Sequence, residues 1–129
     1  MKEQIITLFR PVGQKEFDLI KSSEFKYFPP RLDWQPIFYP VLDYDYACLI
    51  AKEWNTNDDD NGNVGYVTQF DIPQEYFNLF EVKNVGARNH NELWVPSEKL
   101  GEFNSNIIGP IRIIKAFYGD NFKGIREFD

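Results

Sequence analysis

Three residues in this chain are of the right kind to meet a charged centre, and each lies in or at the edge of an apolar run. Glu92 heads Leu93-Trp94-Val95 within Asn89–Pro96 (NHNELWVP), beside Asn91 and the single histidine of the chain, His90. Pro96 closes that run, because proline cannot donate to a ladder and rarely sits inside a central strand. The stretch therefore presents one carboxylate from the rim of a buried strand, with an amide and an imidazole next to it. Arg10 stands near the end of a second apolar run, Gln4–Val12. An arginine there pairs with a carboxylate or reaches solvent, or its planar fork clamps a phosphate or carboxylate anion. Tyr39 follows Phe38 and precedes Pro40 in Pro36–Leu42 (PIFYPVL). The proline marks an edge or a bulge, and bulges gather near active sites. Arg31, in a proline-rich loop, is a second candidate anion contact or simply an exposed residue.

Other chemistry finds less support. Cys48 falls on the apolar face of a predicted helix, which reads as a small buried hydrophobe, and no spacing feature links it to His90 as a catalytic pair. One His and one Cys cannot build the usual zinc sites, so no metal is expected. Asn55–Asn63 (NTNDDDNGN) echoes the start of a calcium loop, but Asn57 stands where aspartate is wanted and Thr68 where the bidentate glutamate belongs. No glycine-rich phosphate loop is present.

The elements that must position these residues are legible as alternating and helical periods. Gln4–Val12 reads as a strand, Gln14–Ser23 as a helix with Phe17, Ile20 and Leu19 inward, and Phe25–Phe28 as a short extended segment. Pro36–Leu42 is a strand broken by Pro40. Asp43 caps a helix over Tyr44–Trp54 whose inward face is Tyr44, Ala47, Cys48, Ala51 and Trp54. Val64–Ile72 alternates as a strand, Pro73 opens a helical turn through Phe77, and Leu79–Val85 and Glu92–Val95 are further strands. Ser97 caps a helix over Glu98–Asn104 with Leu100 and Phe103 inward, and Ile107–Tyr118 is the last strand. Strands and helices interleave without a regular βαβ rhythm. The fold class expected is therefore α+β with a mixed, mostly antiparallel sheet and short helices. The chain is read as one domain, residues 1–119, with a weakly ordered tail at 120–129.

Bulk properties narrow the partners. With a net charge of −6 and no basic cluster, the chain repels nucleic acid, whose phosphates need Lys and Arg. A lone cysteine forms no intrachain disulfide, and neither a signal peptide nor a membrane-length apolar run is visible, so a cytoplasmic protein is expected. Aromatics reach 17%, enough that some are expected to line a groove or a dimer interface as well as the core.

The blocks LFRPVGQKEFDLI, PPRL with QPIFYPVL, YACLIAKEWN, GYVTQFDI, and ELWVP followed by FN and IIGPI together resemble a small bacterial family labelled ADP-ribosylation/crystallin. The resemblance runs from about Leu8 to Phe117. The crystallin-type ADP-ribosyl hydrolases are larger, all-helical and rich in metal-binding aspartates, so the label's other half carries the implication: a minimal ADP-ribosyltransferase-like domain. Such enzymes present Arg or His on the first strand, Tyr or Ser on the second and Glu at the start of a later one. Arg10, Tyr39 and Glu92 hold those positions. The resemblance implies NAD as substrate, with Arg10 on the pyrophosphate or nicotinamide-side ribose and Tyr39 or Phe38 stacked on the nicotinamide. Glu92 would bond the ribose 2′-OH and stabilise an oxocarbenium-like charge, and His90 and Asn91 would orient Glu92 or touch substrate. His90 occupies a position where transferase toxins often carry a second acid, which weakens the case for arginine as acceptor and leaves the acceptor open.

Two other readings stand beside this one. The chain is then a non-catalytic nucleotide- or protein-binding module of the same fold, or an interaction domain whose aromatics form a dimer interface. A monomer or a homodimer is compatible with all three. The feature that separates them is whether Arg10, Tyr39 and Glu92 converge on one cleft.

Overall fold

The run from Val64 to Pro73 carries Val64, Tyr66, Val67, Phe70 and Ile72, and this strand is buried along both faces over most of its length. It is the middle of an antiparallel sheet. The computed structural model describes residues 4–128, and over that range the elements are β1 (Ile5–Val12), α1 (Gln14–Ser22), β2 (Ile37–Phe38), α2 (Tyr44–Glu53), β3 (Val64–Pro73), α3 (Gln74–Phe77), β4 (Glu81–Asn84), β5 (Asn91–Pro96), α4 (Leu100–Ser105) and β6 (Ile108–Tyr118). One sheet has the order β1-β3-β6 and the other β2-β5-β4, all pairs antiparallel. The architecture is α+β, as the interleaved pattern predicts.

Val41 joins the two sheets. It pairs with Phe9 of β1 on one side and Glu92 of β5 on the other. The Phe9 and Val41 amides exchange hydrogen bonds at 2.9 and 2.7 Å, while Leu93 N–H donates to the Pro40 carbonyl at 2.8 Å. Pro40 has no N–H of its own, which shortens β2 to two residues and leaves Val41 as a single-residue bridge. The strand break expected at Pro40 is therefore the seam of the molecule.

The two faces carry different helices. Leu8, Val12, Phe17 and Ile20 are buried in one cluster, which places α1 over the face to which the even-numbered residues of β1 point. Phe9, Val41, Tyr46, Ala47, Ala51 and Val67 form the other, under α2. A Cβ on Gly65 would lie 2.6 Å from the Ala51 carbonyl oxygen, so glycine is what lets α2 approach β3 this closely. Most of the aromatic excess fills the interior. Phe28, Phe38, Phe70 and Phe103 are fully buried and meet one another at ring separations of 4.9 to 5.9 Å.

Three details depart from the periodicity. The buried face of α2 is Tyr46, Ala47 and Ala51, while Tyr44 and Trp54 are 40% and 73% exposed, because the helix is turned to bring Tyr46 onto the sheet. Leu19 is likewise exposed, leaving Phe17 and Ile20 as the inward pair of α1. Phe25–Phe28 forms no strand: Glu24 and Phe25 take left-handed φ values of 60° and 61°, which end α1 in a turn. The segment after β6 has neither helix nor strand up to Phe128. It is nonetheless tied back, since the Tyr118 hydroxyl accepts from Phe128 N–H and donates to its carbonyl.

Candidate functional site

Glu92 lies opposite Val41, and Val41 opposite Phe9, so all three side chains point to the face covered by α2. There the Glu92 carboxylate accepts two hydrogen bonds from neutral donors, the Tyr46 hydroxyl at 2.8 Å and the Trp94 indole N–H at 3.1 Å. The residue is only 9% exposed, and no cation among the described residues lies within salt-bridge distance of it. A carboxylate held away from water without a counter-charge is costly, and two hydrogen bonds offset only part of that cost. Burial first, and then the hydrogen bond to Glu92, push the Tyr46 phenol well above its ordinary value. The His90 ring stacks on Tyr46 at 4.2 Å and 13°. Asp43 ties the same corner together: its carboxylate caps α2 through Tyr46 N–H at 3.0 Å and accepts from the Asn89 amide at 3.2 Å.

Arg10 is held elsewhere. Its Nε and Nη2 donate to the two carboxylate oxygens of Glu16 at 2.7 and 3.0 Å, a bidentate pair between β1 and the first turn of α1. Burial works against the guanidinium charge, but Glu16 outweighs it and the pKa of Arg10 is raised. Adjacent strand residues face opposite ways, so Arg10 points away from the face that carries Phe9 and Glu92. The anion clamp expected of Arg10 is thus occupied by the protein's own carboxylate.

Tyr39 stands between the two groups. Arg10 lies 5.7 Å from its ring centroid and Arg31 5.9 Å, while its phenol adds a smaller electrostatic push to Tyr46. At 41% exposure it has a face open to a ligand. Phe38 does not: it is fully buried in the core with Arg10 packed 4.8 Å above it, so it has no face for the stacking expected of it. Asn91 binds within its own hairpin, accepting from the Asn84 amide at 3.1 Å, and does not orient Glu92. His90 meets this site through its ring, stacked on Tyr46.

Comparison with protein-family models, curated proteins and solved structures finds no match to this chain.

The structure therefore brings Glu92, His90 and Tyr46 into one cluster and Arg10, Arg31 and Tyr39 into another. Three functional neighbours escape the sequence reading. Trp94 was within reach, because residues two apart on a strand share a face. Tyr46 and Glu16 required the tertiary placement of two helices. Two concavities lie away from Glu92: one of about 840 Å³ sits between α1, the 59–63 loop and residues 121–127, and one of about 400 Å³ between the 27–31 loop and residues 97–104. No cluster of metal-ligating side chains is found among the described residues, and no described helix is long and apolar enough to cross a membrane.

Proposed function

We propose that this chain cleaves the nicotinamide–ribose bond of NAD, passing ADP-ribose to an acceptor or to water, with Glu92 at the reacting centre. The observation that supports this reading is the buried, cation-free carboxylate of Glu92 at the seam where β1, Val41 and β5 run side by side. A carboxylate so placed suits a centre on which positive charge grows during reaction. The C1′–N bond breaks with its electron pair leaving on nicotinamide, and the cationic ribose carbon is met by the Glu92 carboxylate before the acceptor attacks. Tyr39 supplies the open aromatic face for the nicotinamide. Tyr46 and Trp94 fix the carboxylate, so it needs no reorganisation as charge develops. Arg10 departs from the expected clamp: it pairs with Glu16 and lies 4.8 and 5.7 Å from the ring centroids of Phe38 and Tyr39. The fold class that goes with this reading is a minimal ADP-ribosyltransferase-like domain.

A second reading, a non-catalytic module that binds a nucleotide or a protein, is favoured because Arg10 and Glu92 lie on opposite faces and do not converge on one cleft. Arg10 is closed by Glu16, which leaves the NAD pyrophosphate without its expected partner. Calorimetric titration with NAD beside a nicotinamide-release assay separates the two. Binding with release in the wild type, and binding without release in Glu92→Gln, supports the enzyme. Binding with no release in either supports the module. No binding at millimolar NAD removes both nucleotide readings.

A further inference from the structure

The Arg31 guanidinium lies 5.9 Å from the Tyr39 ring centroid and has no carboxylate partner of its own among the described residues. Its Nε is buried with no hydrogen-bond partner. Burial and then the repulsion of Arg10 lower its pKa, while the one carboxylate that helps it, Glu16, is already committed to Arg10. In a chain of net charge −6 this is a local excess of positive charge. An unpaired buried donor beside an unanswered guanidinium charge is unfavourable, so the site gains from an external anion on the outer guanidinium nitrogens.

The surroundings of Arg31 indicate what kind of molecule carries that anion. Arg31 lines the groove of about 400 Å³ together with Tyr27, Phe28, Pro30 and Leu100, with Glu98 also along it. The groove is built before any ligand arrives: the Asn104 side chain accepts from Phe28 N–H and donates to its carbonyl, both at 2.9 Å, and so fixes the loop against α4. The same loop continues into Leu32 and Trp34, which are 52% and 75% exposed, and Tyr27 is 51% exposed. Its turn is closed by Gln35 N–H on the Leu32 carbonyl and Leu32 N–H on the Gln35 side chain. Trp, Tyr and Arg are the residue types that dominate the energetic centres of protein interfaces. Exposed apolar groups this widely spread exceed what a small anion would cover.

We infer that the Tyr27–Gln35 loop and its groove against α4 dock a protein segment that presents an aspartate or glutamate to Arg31 between apolar side chains. The carboxylate pairs with the guanidinium fork, the neighbouring apolar residues cover the exposed Tyr27 and Pro30, and Glu98 disfavours a second acid in the groove. This inference does not rest on NAD cleavage, because Arg31 has no part in that chemistry.

The test is a backbone-amide NMR titration of the nitrogen-15-labelled chain with hexapeptides that have glutamate fixed at the third position and Leu, Val, Pro or Phe on either side. The expected result is shifts confined to residues 27–35 and 97–104, with affinity at least tenfold weaker when glutamine replaces the glutamate. Arg31→Gln should abolish the shifts and Trp34→Ala should weaken them, in variants whose spectra are otherwise those of the folded protein. No shifts at millimolar peptide, or equal shifts with the glutamine series, would overturn the proposal. So would shifts of the same amides by inorganic phosphate or NAD but not by peptide, which would assign Arg31 to a phosphate site. Loss of NAD turnover with intact peptide binding, or the converse, keeps this proposal distinguishable from the enzymatic one.

Discussion

Replacing Glu16 with glutamine separates a scaffolding role for Arg10 from a ligand-clamping one. The Arg10 side chain is 8% exposed and that of Glu16 21%, so the pair is screened from water far more than an ordinary surface bridge. Two unit charges about 4 Å apart attract by about 4 kcal/mol at an effective dielectric of 20, and desolvation offsets much of that. The asymmetry of exposure decides which partner matters more. Without Glu16 the Arg10 charge has nowhere to hydrate, and the cost should approach the 3–5 kcal/mol of a broken buried pair, about 3 kcal/mol with glutamine accepting one bond. Without Arg10, in Arg10→Met, the more exposed Glu16 turns to solvent and the cost is about 1–3 kcal/mol, including the loss of cation–π contact with Phe38 and Tyr39. The double variant should then be less destabilised than the sum of the singles by about 2 kcal/mol or more. Equilibrium urea unfolding of the four proteins at neutral pH measures all three quantities. Additive costs, or a Glu16→Gln loss below about 0.5 kcal/mol, would refute the reasoning. An Arg10→Met variant of full stability that had lost NAD binding would return Arg10 to the clamp.

Three further outcomes follow from the packing. Gly65→Ala should destabilise by about 1–3 kcal/mol, because its Cβ would meet the Ala51 backbone, whereas Gly101→Ala, with nothing within 4 Å, should stabilise by about 0.4–1 kcal/mol; chemical denaturation reads both. Asn104→Ala should cost about 1–3 kcal/mol, since it unpairs both backbone groups of the buried Phe28, and amide exchange at Phe28 should rise. The phenols of Tyr46, Tyr66 and Tyr76 are raised above the ordinary 10.0, chiefly by burial. Below pH 10 the folded and unfolded chains both keep these phenols protonated. Above it the unfolded chain ionises first, so stability should fall by about 1.4 kcal/mol per pH unit for each tyrosine. Urea unfolding followed between neutral pH and pH 11 checks the slope, and a flat profile would contradict it.

The strands were readable because burial on the core side imposes alternation, and the start of α2 because the Asp43 carboxylate accepts from Tyr46 N–H. Pro73, expected to open a helical turn, instead ends β3, and Ser97, expected to cap a helix, lies in a short 3-10 turn ahead of α4. The ends of β1, α1, β3 and β6 fall within a residue or so of the periodic runs. The seam was half legible: Pro40 announced a break, but nothing local said that Val41 would pair on both sides. The face of α2 was misread because Tyr46 is amphipathic, and its burial depends on a carboxylate 46 residues away. Arg10 illustrates the same limit from the other side. A strand-end arginine reads as pairing with a carboxylate, reaching solvent or clamping a ligand, and the choice of Glu16 turns on where the first turn of α1 lands, which is set by Phe17 and Ile20 docking on β1.

Glu92 differs from Arg10 in being placed by register instead of by reach. Phe38 opposes Val95, and Leu93 and Val95 share its buried cluster, so β5 is committed to one register by three fully buried side chains. A slip of one residue would send Leu93 and Val95 to the α2 face and drive Glu92 among Phe28, Phe38 and Phe103. That alternative buries an ionised carboxylate with no donor at all, at a cost far beyond what the core could tolerate. The same apolar contacts that build the interior therefore fix the carboxylate beside Tyr46 and Trp94, whether or not a ligand is bound. Preorganisation of this kind is what an electrostatic role requires, since a group that had to be moved into place during reaction would lose much of its effect. Arg10 hangs on a long arm whose direction was decided by a neighbour, whereas the direction of Glu92 was decided by the core.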